Sequence, residues 1–450
     1  MFGRVLIANR GEIALRVLRA CRSLGVETVV VYSEADRDAA YIELADEAVC
    51  IGPAPAKDSY LDMNRVISAA EISEADAIHP GYGFLSENSK FVEVVNACGF
   101  TFIGPPADVI SSMGDKNTAR ATARKAGVPI VPGSDGIVHE EAEAERVAAE
   151  IGYPVMVKAT AGGGGRGMRP VHAPSELLTA FHAARTEAEG AFGNPDVYIE
   201  RLVEEPHHVE IQVLADSHGN VIHLGERECS VQRRHQKLLE ESPSPILSEE
   251  LRAQMGQAAV DLCRQAGYVN AGTVEFLVDK QRRFYFMELN ARVQVEHPVT
   301  EMVTGIDIVR EQLRISAGQP LSVTQDEVRF VGAAIECRIN AEDTSHGFRP
   351  SCGRITRMVN PGGMGVRFDS HVYAGYMVSP YYDSMIGKLV VHAADRAEAI
   401  KAMASALDEC VIEGVFTTLS AHKRFLKDPR FLAGMYDTSF IETMQDSDTE

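Results

Sequence analysis

The sequence predicts an α/β protein: a doubly wound parallel sheet at the N-terminus, a central domain carrying a glycine-rich lid, and a mixed α/β C-terminal domain. Three observations carry the prediction. Short apolar strands alternate with amphipathic helices over residues 2–103, as in a parallel sheet wound on both faces. Five glycines crowd residues 161–168, directly after a buried-type strand. From 288 to 296, Glu288, Asn290, Arg292, Gln294 and Glu296 alternate with Leu289, Ala291, Val293 and Val295, which is the period of a half-buried strand.

Two to four domains are expected for 450 residues, and 45% hydrophobic with 24% charged residues is an ordinary globular balance. The 64 acidic residues outnumber the 44 basic ones, and the net charge of -20 opposes general binding to nucleic acid or an anionic membrane. Eight cysteines lie scattered without a CxxC pair or Cys/His ligand spacing, which indicates neither a disulfide framework nor a zinc site. With no signal h-region and no apolar run of membrane-spanning length, the expected location is the cytoplasm.

In chain order, residues 2–9 (FGRVLIAN) read as a strand, and Ile13, Leu15, Val17, Leu18 and Cys21 give 12–24 helical spacing before Gly25 stops it. Strands follow at 27–32, 46–51, 75–79 and 100–103, with helices at 63–70 and 88–97. The first turn, Asn9-Arg10-Gly11-Glu12, lacks the GxGxxG of a dinucleotide site and reads as a fold element. The first domain is expected to span 1–114.

The central domain, 115–330, opens with Lys116 and a helix to 126, and VPIVPG at 128–133 starts a lid subdomain of about 131–203. There an Ala/Glu-rich helix (140–150) precedes the strand 155–158, which ends in Lys158. The glycine loop that follows can close backbone N–H groups on an anion, or be a mobile surface loop. It is not a Walker loop, since no Gly-Lys-Ser/Thr opens a helix. Two strand-like runs flank Pro206, with Glu200 and His208 as candidate contacts to a base or ribose. Residues 226–241 gather Arg227, Arg233, Arg234, His235 and Lys237, which suits an anionic ligand or a solvated helix face balanced by Glu240 and Glu241.

After a helix at 249–266, the runs 273–279 and 284–289 join through polar residues 280–283 as a hairpin. Pairing Asp279 with Phe284 sets Leu277 against Phe286 and Glu275 against Glu288, with Cβ atoms about 4.5–5.5 Å apart. Two facing carboxylates beside Asn290 suit a hard cation such as Mg2+ bridging phosphates, or a solvent-exposed strand face. A straight strand would part Glu288 from Glu296 by roughly 26 Å, so the segment must bend or serve two subsites. Glu288 and Asn290 form the metal end, and Arg292, Gln294 and Glu296 the end that handles a small anion. Beyond a helix at 307–316, the C-terminal domain (331–445) opens on the alternation of 334–343, carries helices at 396–410 and 419–425, and ends in an acidic tail at 445–450.

Taken in order, HPGYGFLSEN (79–88), MGDK (113–116), GGGGRGM (162–168), ERECSVQRRHQK (226–237), MELNARVQVEHPVTE (287–301), AIECRINAED (334–343) and YYDSMIGK (381–388) resemble the biotin carboxylase family, of ATP-grasp fold. The likeness runs from residue 4 to about 440. It implies that ATP phosphorylates bicarbonate, that the carboxyphosphate yields CO2, and that N1 of biotin takes up the CO2. It also implies roles. Lys116 and Lys158 would touch the ATP phosphates beneath the lid glycines Gly164 and Gly165. Glu200, Arg201, Val203, His208 and Leu277 would surround adenosine, with Gln232 and His235 near the ribose. Glu275, Glu288 and Asn290 would hold Mg2+, with Mn2+ as an alternative. Lys237, Arg292, Gln294 and Val295 would bind bicarbonate, Glu296 would be the general base, and Arg338 would steady the biotin enolate and carboxyphosphate. Arg201 stands where many relatives carry Lys, and Ala291 where many carry Thr.

These roles suit the chemistry. Phosphoryl transfer asks for positioning and charge neutralisation, which two lysines, the metal carboxylates and backbone N–H groups would supply. Arg292 and Gln294 would bring the proton of a bound anion to Glu296, and a closing lid would shield carboxyphosphate from water. Cys229, close to Lys237 in sequence, is the lesser candidate for proton transfer, because an ordinary thiol is mostly protonated at neutral pH. Another ATP-grasp ligase that makes an acyl phosphate would share the hairpin and lid but leave RRHQK and EHPVTE unexplained. A regulatory subunit without chemistry would lack a base or a metal ligand, whereas Glu275, Glu288 and Glu296 are present. No Ala/Val-Met-Lys-Met tetrapeptide occurs and the chain stops soon after the third domain, so biotin is expected on a separate carrier protein. Carboxyltransferase subunits are the further expected partners, and a homodimer follows from the resemblance.

Overall fold

The computed structural model describes residues 1–160 and 167–447. Its N-terminal unit is a parallel sheet ordered β3-β2-β1-β4-β5, from β1 (Arg4–Ile7), β2 (Glu27–Ser33), β3 (Glu47–Gly52), β4 (Ala77–His79) and β5 (Thr101–Phe102). Val5, Leu6, Ile7, Val29, Val30, Val31 and Ile78 are fully buried, because helices cover both faces. Strand order reverses between β1 and β4, and a doubly wound sheet opens a crevice at the carboxyl ends of such strands. The turn Asn9-Arg10-Gly11-Glu12 sits there and lines the main cleft, so it is more than the fold element expected from its sequence. Gly11 takes φ 72, and Asn9 Nδ2 donates to the carbonyls of Pro80 (2.6 Å) and Tyr82 (2.8 Å), joining the loops after β1 and β4.

The lid is an antiparallel sheet, β7-β6-β8, of β6 (Val155–Ala159), β7 (Met168–Val171) and β8 (Val197–Arg201). The helices Glu141–Ile151 and Leu177–Phe192 back it, around Val155, Val157, Phe181 and Ile199. Gly164 and Gly165 lie outside the described residues.

A large sheet, ordered β13-β12-β9-β10-β11-β14-β21-β19 among the described residues, spans the central and C-terminal parts. Its central strands are β9 (His207–Ala215), β10 (Val221–Arg233), β11 (Gln236–Ser242), β12 (Asn270–Val278) and β13 (Phe284–Asn290). β14 (Ala333–Asn340), β19 (Val366–Ser370) and β21 (Met385–Ala393) continue it through the β11–β14 ladder, where Leu239 pairs with Cys337 and Glu240 with Glu336. The C-terminal part thus extends the central sheet. Its short strands pair as ribbons: β15 (Glu342–Asp343) with β16 (Arg349–Pro350), β17 (Gly353–Arg354) with β20 (Met377–Val378), and β18 (Arg357–Val359) with β22 (Val411–Glu413).

Two expectations change. Residues 226–241 form the β10–β11 hairpin, not a helix face, and Arg227, Glu240 and Glu241 are buried inside it. Its tip, Arg234-His235, has φ 49 and 63; two central residues at positive φ are the mark of a type I′ turn. The stretch expected as an acidic tail begins within the helix Phe440–Ser447.

Candidate active site

A cleft of about 1370 Å3 opens where the three parts meet. Every predicted site residue among the described ones lines it: Lys116, Lys158, Glu200, Arg201, Val203, His208, Gln232, His235, Lys237, Glu275, Leu277, Glu288, Asn290, Arg292, Gln294, Val295, Glu296 and Arg338.

The β12–β13 hairpin pairs Glu275 with Glu288, though not by the predicted route. Val278 pairs with Phe284, Leu277 with Tyr285, and Phe276 with Phe286, one step from the expected register. A β-bulge at Met287 then restores Glu275 to Glu288. β13 ends at Asn290, so the alternation that continues to Glu296 is not an extended strand. The chain turns and enters the helix His297–Thr304 with Glu296 as its N-cap, at φ -81 and ψ 8. This turn closes the distance a straight strand would leave: Lys237 Nζ lies 3.0 Å from Glu275 and 2.6 Å from Glu296.

Lys237 also meets Glu210 at 2.6 Å, and Arg338 bridges Glu240 (2.6 Å) and Glu296 (2.9 Å). Gln294 Nε2 and Asn290 Nδ2 each donate to Glu275 Oε1 at 2.9 Å, and His208 Nε2 holds Glu275 Oε2 at 2.9 Å. Arg292 donates to Glu87 (2.8 Å), Gln294 Oε1 (2.7 Å) and Asn290 Oδ1 (3.0 Å). Burial alone would raise the Glu296 carboxyl, but Lys237, Arg338 and Arg227 hold it well below the usual range. Glu275 is likewise lowered against its burial by Lys237 and His208. Lys237 stays charged despite burial, because Glu210, Glu275 and Glu296 raise it well above its ordinary value.

At the other end Glu200 pairs with Lys158 and with Arg120, the latter at 2.7 Å. Burial lowers the Lys116 ammonium against the pull of Glu288, whereas Glu200 outweighs burial at Lys158 and raises it. Glu288 is exposed to the cleft, and confinement by protein together with Glu275 raises its carboxyl. The carboxylates of Glu275 and Glu288 and the Asn290 side-chain oxygen are hard donors on one wall, a set that fits Mg2+.

Three family models match the chain: "Biotin carboxylase, N-terminal domain" over 1–110, "Carbamoyl-phosphate synthase L chain, ATP binding domain" over 115–324, and "Biotin carboxylase C-terminal domain" over 336–443. The biotin carboxylase of Nostoc sp. is 58% identical over 98% of this chain and 99% of its own length. The chain belongs to the biotin carboxylase family. Biotin carboxylase 1 of Bacillus subtilis is 56% identical over 98% of this chain and 99% of its own. Among solved structures, the Campylobacter jejuni biotin carboxylase complex superposes with a TM-score of 0.95 at 50% identity, over 98% of this chain and 99% of that one. The biotin carboxylase domain dimer of Hydrogenobacter thermophilus 2-oxoglutarate carboxylase, solved with MgADP, ADP and bicarbonate, gives 0.94 at 49% identity, covering 99% and 98%. Members of the biotin carboxylase family are ATP-dependent ligases that carboxylate biotin, and that is the activity of this chain.

The biotin carboxylase site also contains residues the sequence did not single out. Glu210 grips Lys237, and its signal was present: His208, Glu210 and Gln212 alternate with Val209, Ile211 and Val213 on β9. Glu240, which the sequence offers only as a balancing charge on a solvated helix face, one of two open readings, accepts from Arg338 Nε at 2.6 Å. Glu87, inside HPGYGFLSEN, reaches Arg292 across 205 residues, which no local pattern encodes. Cys229 is fully buried, and burial with Glu210 nearby pushes its thiol well above the usual range, so it is no proton carrier at neutral pH. His208, expected at the nucleotide, here holds the carboxylate of Glu275. Among the described residues no helix is long and apolar enough to cross a membrane.

Proposed function

We propose that Glu296 is the general base that deprotonates bicarbonate. The observation that carries this reading is the grip of Lys237 (2.6 Å) and Arg338 (2.9 Å) on its carboxylate, because those cations stand where an anion beside the base must lie. A base so strongly held is weak in the free enzyme. Bicarbonate that shares Lys237, Arg292 and Arg338 divides their compensation, which raises Glu296 and stabilises the dianion that forms. Gln294 and the Val295 backbone complete this pocket, and Arg338 remains to steady the carboxyphosphate and the biotin enolate. The bicarbonate bound by the Hydrogenobacter thermophilus relative supports an anion subsite in this fold.

Lys116 and Lys158 take the ATP phosphates, Gly164 and Gly165 cover them, Glu200, Arg201, Val203, His208 and Leu277 surround adenosine, and Gln232 and His235 reach the ribose. Glu275, Glu288 and Asn290 hold Mg2+, or Mn2+ in its place, which would neutralise phosphate charge. Arg201 Nη2 donates to Tyr285 Oη at 2.6 Å, so its guanidinium is anchored beside the nucleotide end. The domain limits follow as 1–114, 115–330 and 331–445, with the lid at about 131–203. Biotin arrives on a carrier protein, carboxyltransferase subunits complete an acyl-CoA carboxylase, and the protein works in the cytoplasm. A homodimer is its assembly in this reading, supported by the biotin carboxylase domain dimer solved for the Hydrogenobacter thermophilus relative.

The test is ADP release by the purified protein with Mg-ATP, varied in bicarbonate and biotinylated carrier. Release should require bicarbonate and rise with the carrier, and Glu296→Gln should lower carboxybiotin formation by about 10²–10⁴-fold. Indifference to bicarbonate, or a fully active Glu296→Gln variant, would overturn the assignment.

A further inference from the structure

Lys388, on β21, is fully buried, yet it touches all three parts of the molecule. Its ammonium donates to the backbone carbonyl of Val295 at 2.7 Å and pairs with Glu12 of the N-terminal turn at 3.1 Å. Glu12 in turn accepts from Tyr82 Oη at 2.5 Å, within the loop after β4. Lys388 is also the direct cross-strand partner of Arg338 on β14. Directly opposed residues project from the same face with Cβ atoms about 4.5–5.5 Å apart. The pair therefore grips two consecutive residues: Lys388 takes the carbonyl of Val295 and Arg338 the carboxylate of Glu296. Residues 291–296 lie outside the β13 ladder, so this segment depends on such contacts for its path.

We propose that Lys388 is a positioning residue for the reaction: by fixing the Val295 carbonyl it sets where the Glu296 carboxylate stands. Arg338 supplies the charge at Glu296, and Lys388 supplies the backbone anchor one residue earlier. Because Glu12 belongs to the N-terminal part and Val295 to the central one, the same ammonium locks the docking of those parts to the angle of the base. A misplacement of about 1 Å at a reacting group is enough to cost on the order of 10²-fold in rate.

The inference rests on Glu296 being the base, and a double-mutant cycle separates the two claims. Lys388→Met should lower kcat by at least about tenfold while KM for Mg-ATP stays within about twofold, since the nucleotide end is untouched. In Glu296→Asp, which keeps a carboxylate and a measurable rate but shifts its position, Lys388→Met should add little further loss. Multiplicative losses would mean Lys388 acts independently of Glu296 and would overturn the proposal. So would wild-type kcat in Lys388→Met. A fully active Glu296→Gln would instead remove the base reading. Since Lys388→Met leaves Glu12 without its cation, the cycle is repeated on a Glu12→Gln background, where the charges balance. Recovery of full kcat in that background, or failure of both forms to fold, would make Lys388 a charge-balancing or folding residue and sink the assignment.

Discussion

Glu240 and Glu336 face each other directly across the β11–β14 ladder, and both are wholly buried. Among the described residues Glu240 Oε2 and both Glu336 oxygens accept no hydrogen bond, while Glu240 Oε1 receives Arg338. Two carboxylates so close inside a protein cannot both carry charge cheaply. Burial pushes Glu240 up to about 7 against the pull of Arg338, with Glu296 adding to the rise, and burial pushes Glu336 well above the usual range.

The first prediction follows from that pair. A carboxyl whose folded value is raised stabilises the fold below its unfolded value near 4.5, and that contribution disappears as pH rises through about 7. Glu240→Gln is neutral throughout, so the variant should gain on the wild type between pH 5 and pH 8, by up to about 3 kcal/mol. Denaturant unfolding at the two pH values measures this; a difference that does not change with pH would show that Glu240 is ionised throughout the range.

The outcome at the β12–β13 hairpin shows what a sequence can carry. Alternation and a polar loop were enough to set Glu275 opposite Glu288, but the tip register was one residue off and a bulge at Met287 compensated. Nothing in FYFMELNARVQVEHP marks the end of β13 at Asn290, because polar and apolar residues keep alternating after the backbone has turned. The doubly wound sheet was legible from local periodicity. Its continuation partner was not: the joining of β11 to β14 pairs residues 92–98 apart, the Arg338–Glu240 contact spans 98, and such pairings depend on the packed whole.

Glu301 binds Arg16 of the N-terminal part at 2.6 Å and Arg367 of the C-terminal part at 2.8 Å, so one carboxylate joins three parts. Burial alone would raise it, but Arg16, His297 and Arg367 hold it well below the usual range. A depressed carboxyl stabilises the fold above about pH 4.5, and the contribution is lost as pH falls below that value towards the folded one. Glu301→Gln should therefore cost about 3–5 kcal/mol at pH 7 and flatten the acid limb of the stability curve. Thermal unfolding from pH 7 down to about pH 2 checks both, because the loss lies below pH 4.5. An unchanged slope in the variant would mean other carboxylates carry the acid sensitivity.

The two proposed metal carboxylates should part company when neutralised. Glu288 is exposed to the cleft beside a like charge, so Glu288→Gln should leave the melting temperature unchanged while ADP release falls by about 10²-fold or more. Glu275 is buried and compensates Lys237 and His208, so Glu275→Gln should lose activity and also about 1–3 kcal/mol of stability. Scanning calorimetry beside an ADP assay separates the pair. Equal melting temperatures in both variants would contradict the buried network, and near wild-type turnover in Glu288→Gln would contradict its metal role.

The tip of the β10–β11 hairpin holds Arg234 and His235 at positive φ, which costs a non-glycine residue about 1 kcal/mol or more apiece. Asn-Gly meets the same backbone without that strain and is the preferred pair for a type I′ turn. Yet Arg234 and His235 both line the cleft, and His235 is the proposed ribose contact. Replacing Arg234-His235 by Asn-Gly should therefore raise the unfolding free energy by about 1–2 kcal/mol while KM for ATP increases several-fold. Urea unfolding and initial rates on the same preparation read both quantities. A variant more stable and equally tight for ATP would show that these side chains do not serve the nucleotide, and a less stable one would show that their contacts outweigh the turn strain.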